Sequence, residues 1–106
     1  MNLTPLRVSI LVIGRNIEIM ETILRLINSQ ANWQGVGALT DEEALKLFPA
    51  QPIDLVLIGG GVDESSEQKL SAAFKKINPA IKIIRHYGGG SGLLFNEILG
   101  AALSPT

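Results

Sequence analysis

The chain has 106 residues, 46% of them hydrophobic, with 9 basic and 10 acidic side chains and no cysteine. This length suits one domain built around one core, and the apolar content excludes a disordered chain. Near-zero net charge argues against a general attraction to nucleic acid or anionic membrane, and the lack of cysteine excludes disulfides, thiolate catalysis and cysteine–zinc sites.

The start, Met1-Asn2-Leu3-Thr4-Pro5-Leu6-Arg7, lacks the basic-then-apolar order of a signal peptide. No apolar run approaches the roughly 20 residues that span a bilayer, so the expected location is the cytoplasm. Residues 8–13 are apolar except for Ser9 and close at Gly14. Such a run predicts a strand covered on both faces, as in a parallel sheet. Asn16 is placed to cap the helix that follows. Ile17, Met20, Leu24 and Ile27 then recur at helical spacing, and Ile19, Ile23 and Leu26 widen the apolar face. Residues 33–39 predict a weaker strand, in which Gly35 and Gly37 point to a bulge or an edge position.

Thr40 and Glu43 fit a capping box. They begin a short helix that carries Ala44, Leu45 and Phe48 and is expected to end at Pro49. Residues 53–58 are again apolar except for Asp54, and they lead into Gly59-Gly60-Gly61. A third helix is expected over residues 64–78, with Leu70, Ala73, Phe74 and Ile77 buried. Lys69, Lys75 and Lys76 lie toward its end, where cations suit the helix dipole. Residues 81–87 predict a fourth strand. The glycine-rich segment Gly88-Gly89-Gly90-Ser91-Gly92 then opens a last amphipathic helix with Leu93, Leu94, Ile98, Leu99, Ala102 and Leu103. Residues 104–106 read as a frayed tail. Strict β-α alternation over a single domain, residues 1–106, predicts a parallel sheet with right-handed crossovers and helices on both faces.

Four segments taken together carry a family resemblance. They are Val8-Ser9-Ile10-Leu11-Val12-Ile13, the helix over residues 40–47, Pro52-Ile53-Asp54-Leu55-Val56-Leu57-Ile58, and Asn78-Pro79-Ala80-Ile81-Lys82-Ile83-Ile84. Over about residues 6–87 the chain resembles a response-regulator receiver domain. The resemblance implies a flavodoxin-like, three-layer, doubly wound α/β fold with strand order 2-1-3-4. A full receiver has five strand–helix units. Four are read here, which would leave the fourth strand at an edge.

The chemistry that the family needs is missing from the matching positions. Gly14 and Arg15 stand where receivers hold magnesium with an acidic pair. Gly59 stands where the phospho-accepting aspartate ends the third strand, and Arg85 and His86 lie near the hydroxyl position that ends the fourth. Asp54 is at the wrong end of its strand to substitute. The expectation is no hard-cation site, no acyl-phosphate acceptor, no catalytic residue and no cofactor.

Ligands of open parallel sheets bind at the carboxyl ends of the strands. Three loops gather there: Gly14-Arg15-Asn16, Gly59-Gly60-Gly61, and Gly88, Gly89, Gly90 and Ser91. Two readings stand. The last loop leads into a helix N-terminus, which favours an anion, with Arg15 adding positive charge; or the glycines serve tight turns alone. The standard fingerprints fail. A dinucleotide loop from Gly88 would need glycine where Leu93 stands, and no glycine loop ends in Lys-Ser or Lys-Thr. A nucleophile elbow at Ser91 fails at the same position. His86, beside Tyr87, is placed to face the pocket but cannot alone bind a metal. Trp33 reads as packing at the sheet edge or as a partner contact, and Lys75 and Lys76 as a solvated helix end.

These features predict a non-catalytic pseudo-receiver, a cytoplasmic signalling or protein-interaction module that is not phosphorylated. It would bind a protein partner and neither nucleic acid nor membrane. It would also form a homodimer over the fourth strand or the final helix. The alternative is a small-ligand or anion-binding domain using Arg15, Asn16, Gly59, Gly60, Gly61, His86, Gly88, Gly89, Gly90 and Ser91. A third reading, an enzyme, rests on Ser91 and His86.

Overall fold

The computed structural model describes residues 8–86 together with Asn96, Ile98 and Gly100. Along residues 8–86 the elements are β1 (Val8–Ile13), α1 (Ile17–Asn28), β2 (Trp33–Ala38), α2 (Asp41–Ala50), β3 (Leu55–Ile58), α3 (Glu64–Ile77) and β4 (Lys82–Arg85). The strands form one parallel sheet in the order β2-β1-β3-β4, the flavodoxin-like arrangement that the resemblance implies.

Side chains of successive strand residues point to opposite faces, and both faces are covered here. Leu11 and Ile13 of β1 join Val56 and Ile58 of β3, and this layer packs on Ala44, Phe48, Leu70 and Phe74 of α2 and α3. Phe48 and Phe74 stack with centroids 4.4 Å apart, so the two helices share one aromatic contact. Ile10, Val12, Leu55 and Leu57 face the other way, onto Met20, Ile23 and Ile27 of α1. The division follows from handedness. The step from β1 to β2 crosses the sheet in one direction, and the next two steps cross in the other. Right-handed crossovers therefore place α1 on one face and α2 with α3 on the opposite one.

The last helix adds a detail that periodicity does not contain. Asn96, Ile98 and Gly100 are helical, and Ile98 is fully buried in the cluster with α1. A right-handed crossover from β4 to a further strand beyond it would run over the face of α2 and α3. This helix instead closes the α1 face.

α1, α2 and α3 each start at a side-chain cap, the first two at the residues the sequence suggests. Asn16 Oδ1 accepts from the Ile19 N–H at 3.1 Å, and Asp63 Oδ1 accepts from the Ser66 N–H at 2.7 Å. Thr40 Oγ1 accepts from the Glu43 N–H at 3.1 Å, while Glu43 Oε1 accepts from the Leu39 N–H at 2.9 Å. The reciprocal arm of the capping box thus reaches one residue further back than the ideal motif.

Several expectations are corrected. β2 is an edge strand without a bulge, since its register with β1 is unbroken from Val8↔Trp33 to Ile13↔Ala38. Its glycines let α1 approach: a Cβ added at Gly37 would lie 2.6 Å from Met20 Sδ, and one at Gly35 would lie 3.0 Å from Ile27 Cγ2. That edge is also covered by its own chain. Asn28 Oδ1 accepts from the Gly35 N–H at 2.9 Å and its amide donates to the Gly35 carbonyl at 3.5 Å. The Trp33 N–H donates to the Gln30 carbonyl at 3.2 Å. Soluble sheets need such covers against edge-to-edge pairing.

Pro49 does not end α2, which continues to Ala50. In the final turn a proline removes one hydrogen bond and leaves the rest of the helix intact. Ile77, expected in the core, is 56% exposed, as are Ile17 at 51% and Ile19 at 59%. Ile77 ends α3 and Ile17 begins α1, so both sit where their helices leave the sheet; Ile19 lies on the solvent side of α1. β3 begins at Leu55, two residues later than expected, and β4 is described over Lys82–Arg85. No described helix is long and apolar enough to cross a membrane.

Candidate functional site at the carboxyl edge of the sheet

The ladder continues a step past the strands. The Gly14 N–H donates to the Ala38 carbonyl at 3.0 Å, the Gly59 N–H to Ile13 at 2.8 Å, and the His86 N–H to Ile58 at 2.8 Å. Gly14, Gly59 and His86 therefore end β1, β3 and β4 side by side. Asp54 sits at the far end of β3, where Oδ2 accepts from the Ser9 N–H at 2.9 Å. It is a staple between strands, remote from this edge, as its position in the sequence implies.

Arg15 leaves the loop after β1 and crosses to the start of α2. Its Nη2 donates to Asp41 Oδ1 at 2.5 Å, and its Nη1 donates to the Leu39 carbonyl at 3.1 Å. Lys69 of α3 places Nζ 3.4 Å from the other carboxylate oxygen of Asp41. The Arg15 hydrogen bond holds the Asp41 carboxyl below the usual carboxylate range. Hydrogen bonds from Ser66 and Lys69 act in the same direction, and partial burial opposes them. The loop of Gly59, Gly60 and Gly61 packs on the stem of Arg15, since a Cβ at Gly61 would lie 3.4 Å from the Arg15 Cβ.

A second ion pair lies beside the first. Arg85 at the end of β4 bonds Glu67 of α3, and its Nη2 donates to the Val62 carbonyl at 2.5 Å. Glu64, Glu67, Gln68 and Arg85 line a shallow open depression there. His86 is buried at 8% exposure. Among the described residues no three histidine or acidic side chains gather as metal ligands.

Of the residues singled out from sequence, Arg15, Gly59, Gly60, Gly61 and His86 do meet at one edge. Asn16 serves the α1 cap through its side chain. Gly88, Gly89, Gly90 and Ser91 lie outside the described residues. Sequence reasoning missed Asp41, Ser66, Glu67 and Lys69. The order 2-1-3-4 carries a signal for Asp41: the end of β2 neighbours the end of β1, so the residue after the Thr40 cap must lie beside the loop that holds Arg15.

No protein-family model matches the chain, and no curated protein matches it in sequence. Solved structures do match in shape. The signal receiver domain of an HD domain-containing protein from Pseudomonas fluorescens superposes with a TM-score of 0.67 at 19% identity, covering 90% of this chain and 75% of that one. A response regulator receiver protein from Pseudomonas putida gives 0.66 at 21%, covering 92% and 82%. A CheY-like receiver domain protein from Methanospirillum hungatei gives 0.65 at 18%, covering 92% and 78%. The fold is that of response-regulator receiver domains, and at these identities the likeness is one of fold.

Proposed function

We propose that the chain is a receiver-like signalling module that acts through protein contacts and is not itself phosphorylated. The observation that carries this reading is Gly59. It ends β3 with no side chain to accept a phosphoryl group, and an added Cβ would press to 3.2 Å on the Ile13 carbonyl oxygen. The charges around it agree. The loop after β1 offers Arg15 in place of an acid, and Asp41 and Glu67 at this edge are already engaged by cations. An acyl phosphate needs a carboxylate acceptor, and magnesium needs several oxygen ligands. On this reading the module is non-catalytic, works in the cytoplasm and recognises a protein, with no part for nucleic acid or membrane. With acetyl phosphate and magnesium, the intact mass is expected to stay unchanged. A base-labile phosphate adduct mapped to one aspartate would overturn the proposal.

The proposal includes self-association. β4 is half-buried along its length, whereas β3 is buried throughout, as suits a strand at the border of the described sheet. A two-fold antiparallel pairing of β4 keeps facing side chains on one face of the sheet, so it would centre on Ile83 or Ile84 and would not set Lys82 against Arg85. The interface would cover β4 or the final helix. Sedimentation at micromolar concentration is expected to give the mass of a dimer. A monomer mass that persists at tenfold higher concentration would remove this part of the proposal.

A further inference from the structure

Two cations from different elements converge on one carboxylate. Arg15 reaches Asp41 Oδ1 from the loop after β1, and Lys69 reaches Oδ2 from α3. Charge-assisted bonds of this kind are how proteins hold carboxylate and phosphate groups. Here the anion belongs to the chain itself. Glu43, the next acid on α2 able to compete, is occupied by the Leu39 N–H.

We infer that Asp41 is an intramolecular ligand: its carboxylate fills an oxyanion cradle made by Arg15 and Lys69. By filling it, Asp41 ties the loop after β1 to α2 and α3 with no bound ion. The assignment rests on the reading above, in which this edge carries no phosphoryl group. It also bears on the glycine-rich loops, since the positive charge that Arg15 would lend an anion there is already neutralised. The cradle is reachable from solvent, because the side chains of Arg15 and Lys69 are 33% and 65% exposed. Removing the carboxylate therefore leaves two cations facing each other with an open path for a small oxyanion.

The test is chemical rescue with inorganic phosphate. Thermal unfolding is followed in phosphate and in chloride at matched ionic strength, so that screening is equal. Asp41→Ala is expected to melt about 4–8 °C lower than the parent in chloride. It should then regain stability saturably as phosphate fills the vacated cradle. The parent shows only the small general effect of an excluded salt, and the double variant Arg15→Ala/Asp41→Ala loses the saturable response. A single variant that responds no more than the parent overturns the assignment, as does a double variant that responds as strongly as the single one. Should Asp41→Ala not fold, Asp41→Asn serves with amide exchange at residues 14–16 as the readout. Exchange faster by about tenfold, or ~1.4 kcal/mol of local opening, supports the tie, and unchanged exchange overturns it. The two readings fail separately. An aspartyl phosphate sinks the functional proposal, whereas a flat phosphate response in Asp41→Ala sinks only this one.

Discussion

Phe74→Ala is expected to lower the free energy of unfolding by about 3–5 kcal/mol. Phe74 is fully buried, and it lies in the layer that α2 and α3 press onto Leu11, Ile13, Val56 and Ile58. Truncation loses the transfer free energy of the ring and leaves a cavity that two helices and a sheet cannot fully collapse. It also removes the stack on Phe48, worth a further ~1 kcal/mol in such pairs. A domain of this size holds only about 5–15 kcal/mol in total, so the variant should lose a large fraction of its stability. Urea unfolding reads the loss directly. Phe74→Leu keeps most of the volume and should cost markedly less. A loss below about 1 kcal/mol for the alanine variant would be the ordinary effect of a surface change, and would mean that α2 and α3 are not joined through this contact.

The strands and caps were legible because they are local. Residues 8–13 and 55–58 are branched apolar runs too short for a helix, and a run without alternation belongs to a strand covered on both faces. Asn16, Thr40 and Glu43 announce helix starts through hydrogen bonds that span only three or four residues. The alternation of elements then leaves few topologies, and handedness chooses the faces. What periodicity cannot state is how much sheet lies beneath a helix. Ile77 and Ile17 keep the helical spacing, yet both stand at the end of their helix and are exposed. The glycines of β2 were readable as an edge signal. Their closeness to Met20, Leu24 and Ile27 was not, because it depends on how near α1 settles.

The candidate site was legible in half. The empty places, Gly14 and Gly59, follow from aligning the strand ends with the family pattern, and Arg15 stands out as the charge in the wrong loop. Its partner did not stand out. Arg15 and Asp41 are 26 residues apart, and Arg85 and Glu67 are 18 apart. Each pair forms only because the topology brings the end of a strand, or the loop after it, and a helix start to the same edge. Read singly, Asp41 is an ordinary first-turn acid that favours the helix dipole, and Lys69 is an ordinary solvated cation. Their meaning lies in convergence, which depends on strand order more than on spacing.

Ile98→Asp is expected to be as damaging as the loss of the Phe74 ring, and it tests the least regular feature of the fold. Ile98 is fully buried among Ile10, Val12, Met20, Ile23, Ile27, Leu55 and Leu57. None of these can neutralise or hydrogen-bond a carboxylate, and burying a polar group without a partner costs roughly 2–7 kcal/mol. The lost burial of the isoleucine adds ~1.5–3 kcal/mol. Part of this would be avoided if the last helix undocked, but undocking exposes Leu55 and Leu57 at the middle of the sheet. Either route predicts a lower urea midpoint, and the second adds a tendency to aggregate. Asn96→Asp introduces the same carboxylate at an exposed position of the same helix, and should change stability by no more than about 0.5 kcal/mol. The contrast between the two variants separates a packing requirement from a dislike of added charge. Equal and small effects would show that this helix does not close the α1 face.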